Sequence, residues 1–246
     1  TLNKLLSFLQ AQRPSLTYRM LQNDKYHTSF QISHEDKSVT LSSQSVATYN
    51  RCTSNTLKNL ALFVKKASVD SSLSSEALLR AIQLRIDIRN KCTDVSQFDQ
   101  IEITAKDAVL PAFAYLSAIH QFYSGNYKEA VSHFSKLAEL KSGWFSEISG
   151  YLVIRSWLKD AQQDWSGYQQ DTINIKQSSV DKVQAAAKHF QQQFPDSKYL
   201  RSSHFLQRKS IWLKGDEELH YQWLVKDMFE ISDRLLRSEE HTSELQ

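Results

Sequence analysis

The sequence predicts an all-α fold of antiparallel helix hairpins with one small β-hairpin near the N-terminus. Three observations carry that prediction. The 246 residues include only 5 glycines and 3 prolines, too few for the many tight turns of an all-β sandwich or barrel, or for a collagen-like or glycine-rich chain. Apolar residues recur at three- and four-residue intervals through most of the chain, the period of a helix with one buried face. A pattern of small and aromatic residues occurs twice, as stacked hairpins require. With 41% apolar and 23% charged residues and a formal charge of +3, the composition is that of an ordinary globular protein rather than a disordered one. No apolar run reaches the roughly 18 residues of a transmembrane helix, so no membrane span is expected.

From Leu2 to Gln12, Leu2, Leu5, Leu6 and Leu9 mark a helix that Pro14 ends, and Ser15 to Gln22 reads as a second short helix. Between Tyr26 and Ser43, Phe30 and Ile32, then Val39 and Leu41, alternate with polar residues around His34-Glu35-Asp36-Lys37, the pattern of a β-hairpin. A polar loop is expected from Ser42 to Asn55. Helical spacing resumes at Leu57, Leu60, Phe63 and Val64, and pauses at the serine-rich stretch Ser68 to Ser75. Ser74 or Ser75 can cap the next helix, whose apolar face of Ala77, Leu78, Ala81, Ile82, Leu84 and Ile88 has Arg80, Arg85 and Arg89 around it.

Beyond Asp107 the pattern is most regular. Pro111 suits a first helical turn, where its missing N–H is not needed, and Phe113 to Tyr123 is a strongly apolar helix. Ser124-Gly125 breaks it, and Asn126 caps a helix running from Tyr127 to about Leu140. Further helices are expected over Trp144 to Asp160, Trp165 to about Ile175, from Ser179 or Asp181 to the residue before Phe194-Pro195, Lys198 to Lys214, and Glu217 to Leu236. Gly215-Asp216 serves as the stop and cap between the last two.

The internal repeat is the most specific signal. Ala130, His133 and Phe134 recur about 56 residues later as Ala186, His189 and Phe190. Ser156-Trp157-Leu158-Lys159 recurs at nearly the same offset as Ser210-Ile211-Trp212-Leu213-Lys214. A helix pair approaches closely where a small residue sits, and a Phe one turn on fills the groove to its neighbour. The run from Gly125, Tyr127 and Ala130 to Phe134 and Leu137 resembles the second half of a tetratricopeptide repeat: turn glycine, aromatic, small residue, then an aromatic four later. Phe190 to Ser197, with Tyr199 and Lys214-Gly215-Asp216, is similar to such repeats in bacterial envelope proteins. The spacing departs from the family's usual period of about 34 residues, and no Trp-x-x-Leu-Gly motif accompanies Tyr115, Leu116 and Ala118. The resemblance covers about Asp107 to Leu236. It implies a right-handed superhelix, a protein or peptide as partner, and a periplasmic or outer-membrane-associated location in preference to the cytoplasm.

Three segments follow: residues 1–70 with the N-terminal helices and hairpin, residues 71–236 as the repeat domain, and residues 237–246. The last ten residues, Arg237 to Gln246, resemble a translated sequencing adapter and are expected to be a non-native tail. Thr1 stands where an initiator Met or an export signal would, so sequence beyond either end is expected to be missing.

Chemical constellations are sparse. Cys52 and Cys92 are the two cysteines; a disulfide between them would close a loop of about 40 residues, worth about 3 to 4 kcal/mol, and two free thiols are the alternative. His27, His34, His120, His133, His189, His204 and His220 form no H-E-x-x-H or i, i+4 pair, so no metal site is expected. Glu35-Asp36 and Asp216-Glu217-Glu218 lie at a turn and a helix start, where acidic residues belong without catalysis. No G-x-S-x-G, Walker-type loop or dinucleotide fingerprint exists, so no cofactor is expected. Arg201, Arg208 and Lys209, with His204, share one helix, but the charge balance is only mildly basic and no nucleic-acid partner is expected.

Trp144, Trp157, Trp165, Trp212 and Trp223 all fall late in the chain. The repeat-equivalent Trp157 and Trp212 read as packing residues, while Tyr123, Trp165 and Tyr168 read as peptide-groove residues. The function expected is a protein-interaction scaffold with no catalysis of its own. The alternative is an accessory or regulatory helical region of an enzyme whose catalytic domain lies outside this sequence.

Overall fold

The computed structural model describes residues 2–24, 27–43, 55–91, 109–140, 143–163 and 175–226. Among these the chain is mostly helical with a small three-stranded antiparallel sheet. It divides into two compact units, residues 1–149 and 150–246. Residues 69–74, where the sequence places a boundary, join two helices of the first unit.

The first unit opens with α1 (Leu2–Gln12), which buries Leu2, Leu5 and Leu9. Strands β1 (Thr17–Asn23), β2 (Thr28–His34) and β3 (Lys37–Ser42) follow in the order β1-β2-β3. The expected hairpin is β2–β3: Phe30 pairs with Leu41 and Ile32 with Val39, and these four side chains form the buried face. Glu35 supplies the positive φ, 53°, that the two-residue turn requires. The short helix expected over Ser15 to Gln22 is instead β1, paired with β2 from Thr17↔Ser33 to Asn23↔Thr28. Pairing to β2 overrides local propensity there. The Tyr18 hydroxyl also donates to the carbonyls of Leu9 (2.9 Å) and Arg13 (3.0 Å), tying β1 to the end of α1.

Helix α2 (Leu57–Ser68) begins where helical spacing resumes, and α3 (Ser75–Lys91) begins at its expected cap. Thr56 Oγ1 accepts from Asn59 N at 3.3 Å and Ser74 Oγ from Ala77 N at 3.1 Å. The Arg13 guanidinium donates to the carbonyls of Ser68 (2.7 Å), Asp70 (2.6 Å) and Leu73 (3.0 Å), closing the α2–α3 connection onto the end of α1. One expectation changes here. Arg85 and Arg89 do not ring the apolar face of α3; they are buried, 2% and 8% exposed.

Helices α4 (Pro111–Ser124) and α5 (Tyr127–Ala138) form a hairpin. Gly125 ends α4 in the left-handed region, φ 89°, a conformation that costs glycine nothing. Asn126 stands at the N-cap of α5 without a side-chain capping bond; its amide donates to Gln121 Oε1 at 2.9 Å instead. Tyr115 centres an aromatic cluster, with ring centroids 5.9 Å from Phe63, 6.2 Å from Phe134, 5.5 Å from Trp144 and 5.6 Å from Phe145. Trp144 and Phe145 open α6 (Gly143–Ala161), whose later turns belong to the second unit.

In the second unit, residues 150–161 of α6, α7 (Gln177–Gln193) and α8 (Leu200–Lys214) enclose one core of Ile154, Leu158, Ala161, Val180, Val183, Ala187, Phe190, Leu206 and Leu213. The buried carboxylate of Asp160 accepts from Ser179 Oγ at 2.5 Å and lies 3.9 Å from Lys176 Nζ. Gly215, φ 77°, ends α8. Asp216 Oδ1 then caps the next helix, α9 (residues 217–226), by accepting from Leu219 N at 3.0 Å.

Candidate functional site

The repeat residues fall largely where packing needs them. Phe134 and Phe190 are fully buried, as are Ala130 and Leu137; Tyr127 is buried with its ring edge-on to Phe122. The second copy is shifted at its small residue: Ala186 is half-buried, and its neighbour Ala187 takes the fully buried place beside Phe190. Trp157 is half-buried against the core, with Lys182 Nζ 4.3 Å from its ring centroid. Trp212 departs from its expected packing role and is 48% exposed, because Ser210, Ile211 and Leu213 occupy the inward positions of α8.

Of the expected groove residues, Tyr123 is buried at 4% exposure, edge-on to Phe122. It therefore belongs to the core of α4 and presents no open ring to a peptide. Trp165, Tyr168, Cys52, Cys92 and the tail 237–246 lie outside the described residues. His133 is half-buried with Nδ1 3.2 Å from Ser117 Oγ, and His189 is exposed. Burial, and secondarily Lys136, hold the His133 imidazole below its ordinary pKa. Among the described residues no group of three or more His, Cys, Asp or Glu could hold a metal ion, and no helix is long and apolar enough to cross a membrane.

The surface with the most distinctive electrostatics lies along α6 and α8 in the second unit. Tyr151, Arg155 and Lys159 are one helical turn apart on α6, so they form a single stripe. The Tyr151 ring stacks on Tyr199, centroids 5.2 Å apart and 13° from parallel, at the N-cap of α8. The Tyr151 hydroxyl also has a side-chain hydrogen bond with Ser202, and burial raises its pKa. This clamp fixes the start of α8 against α6. Further along, Arg155, Lys159 and Lys209 are all half-buried. The Lys159 amine is held below the ordinary lysine value by burial, then by Arg155 and by Lys209. Lys176 and Lys214 have carboxylate partners in Asp160 and Asp181; Lys159 and Lys209 have none in ion-pair range among the described residues. The arrangement concentrates positive charge in a partly desolvated place, where an incoming carboxylate gains more than it would in open water.

Sequence reading noticed Lys209 only as part of a helical basic run with Arg201 and Arg208. Those two belong elsewhere: the Arg208 guanidinium lies 5.4 Å from the Phe205 ring centroid, and Arg201 is exposed. Arg155 and Lys159 sit in the sequence at i, i+4, a spacing that could have flagged the stripe. In comparisons with protein-family models, curated proteins and solved structures, the chain matches none of them.

Proposed function

We propose that this chain is a protein-interaction scaffold of tetratricopeptide type, without catalysis of its own. In this reading its second unit holds an acidic peptide segment of a partner along the Arg155–Lys159–Lys209 cluster. The observation that carries the proposal is Lys159, half-buried with two further cations beside it and, among the described residues, no carboxylate in ion-pair range. Keeping like charges together in a partly dry position raises the free energy of the empty surface, and an anionic ligand relieves it. Alternation of helices supports the repeat reading: α4 and α8 both end on a left-handed glycine, Gly125 and Gly215, followed by Asn126 or Asp216 and a further helix. A peptide fits better than a nucleic acid, because Tyr151 and Tyr199 stack on each other and offer no ring pair to bases.

The test is fluorescence anisotropy with a labelled glutamate-rich decapeptide and a lysine-rich control. The expected result is binding of the acidic peptide alone, weakening with salt, and reduced about tenfold or more in the Lys159→Met, Lys209→Met double variant. Equal binding of both peptides, or an unchanged affinity in the double variant, overturns the proposal.

A further inference from the structure

A second cationic cluster sits in the core of the first unit. Arg85 and Arg89 lie one turn apart on α3 and both face inward, at 2% and 8% exposure. A long cationic side chain ordinarily carries its charge out to water, and these two do not. Arg85 Nη1 donates to Asn55 Oδ1 at 2.6 Å. Asn55, itself fully buried, donates from Nδ2 to the Ile88 carbonyl at 3.2 Å, which fixes its oxygen toward the guanidinium. Among the described residues Arg85 thus meets a neutral amide, and its Nε is buried with no hydrogen-bond partner. The carboxylates of α3 are engaged elsewhere: Glu76 with Lys37, and Asp87 with Gln83 at 2.9 Å.

Burying a guanidinium against a neutral partner alone is unfavourable, and a donor left without an acceptor adds to that cost. Both costs fall if an anion accepts from Nε. A guanidinium presents its N–H groups in a planar fork that matches carboxylate and phosphate oxygens, which a lysine amine would not. A second guanidinium one turn away adds attraction for the same charge. Burial, and then Arg85, hold Arg89 below the ordinary arginine value, as expected for two cations sharing a dry place.

We propose that Asn55, Arg85 and the neighbouring Arg89 form an oxyanion-binding site in the first unit, with Arg85 Nε as its principal donor and Asn55 as the group that orients it. The site is separate from the peptide surface of the second unit and does not depend on it.

The test is the thermal unfolding midpoint of the full chain titrated with inorganic phosphate at constant ionic strength, with acetate in a parallel series. A ligand that binds only the folded state raises the midpoint saturably. The expected result is such a rise in wild type and in Lys159→Met, and its loss in Arg85→Met, with folding of each variant confirmed by circular dichroism. Asn55→Ala keeps the charge but frees the guanidinium, and should shift the half-saturating concentration upward about tenfold; it decides the matter if Arg85→Met does not fold. A saturable rise with acetate alone assigns the site to carboxylates within the same oxyanion class. No saturable rise with either anion, or an equal rise in Arg85→Met and Asn55→Ala, overturns the proposal.

Discussion

Gly150 of α6 lies directly against Phe190 of α7: a methyl group built at Gly150 would come within 3.0 Å of Phe190 Cδ2 and 3.1 Å of Phe194 Cε2. Glycine, rather than alanine, allows this close approach of α6 to α7. Overpacking a well-filled core costs about 1 to 3 kcal/mol, while Gly to Ala in a helix returns about 1 kcal/mol. Gly150→Ala should therefore lower stability by about 1 kcal/mol, and Gly150→Val by more, read as a fall in the urea midpoint. A raised midpoint for Gly150→Ala would show that Phe190 yields freely.

Phe134 and Phe190 are each fully buried, in separate units. Truncation of a fully buried Phe costs about 3 to 5 kcal/mol. Phe190→Ala should lose protection of α7 amides from hydrogen exchange, and Phe134→Ala that of α5. Wild-type exchange in either variant would contradict the reading that these Phe side chains hold their helices in place.

Arg13 gathers three carbonyls at the α2–α3 connection. A hydrogen bond from a charged donor is worth about 1.5 to 3 kcal/mol, bonds sharing one guanidinium are not additive, and their loss strands acceptors that water partly recovers. Arg13→Ala should destabilise by about 2 to 3 kcal/mol in chemical denaturation. Arg13→Lys should recover only part of this, because an ammonium lacks the fork that spans Ser68, Asp70 and Leu73.

The depressed pKa of His133 sets a pH dependence. Above the unfolded value of about 6.5 neither state is protonated and the group makes no difference. As pH falls through that value the unfolded chain takes up a proton that the folded chain resists, so stability declines until the folded pKa is passed and then levels. Unfolding midpoints measured between pH 8 and pH 5 should fall less in His133→Gln than in wild type. Equal slopes would mean that burial beside Ser117 does not penalise the charged ring.

What the sequence disclosed follows the range of the forces involved. The β2–β3 hairpin was legible because Phe30, Ile32, Val39 and Leu41 alternate and their register follows from a two-residue turn. Strand β1 was not, because it is a mostly exposed edge strand whose existence depends on pairing with β2. The helix ends at Gly125 and Gly215 were legible from glycine's tolerance of positive φ. Ala185, Ala186 and Ala187 are adjacent, so composition could not tell which one faces the core. Arg85 was read as solvated because arginine ordinarily is, and only tertiary packing around α3 buries it. The candidate peptide surface was half visible: Arg155 and Lys159 share a stripe by spacing alone, but Lys209 reaches them only through the packing of α8 on α6.

In the proposed function the Lys159 amine is the point where a partner's carboxylate lands. Its titration can be followed by NMR through the side-chain Cε resonance, with and without the glutamate-rich decapeptide. The free protein should titrate below the ordinary lysine value of about 10.5, for the reasons of burial and like charge given above. Saturation with the acidic peptide should move that midpoint upward, because a nearby carboxylate favours the charged amine. A midpoint that stays fixed while the peptide is fully bound would contradict the account.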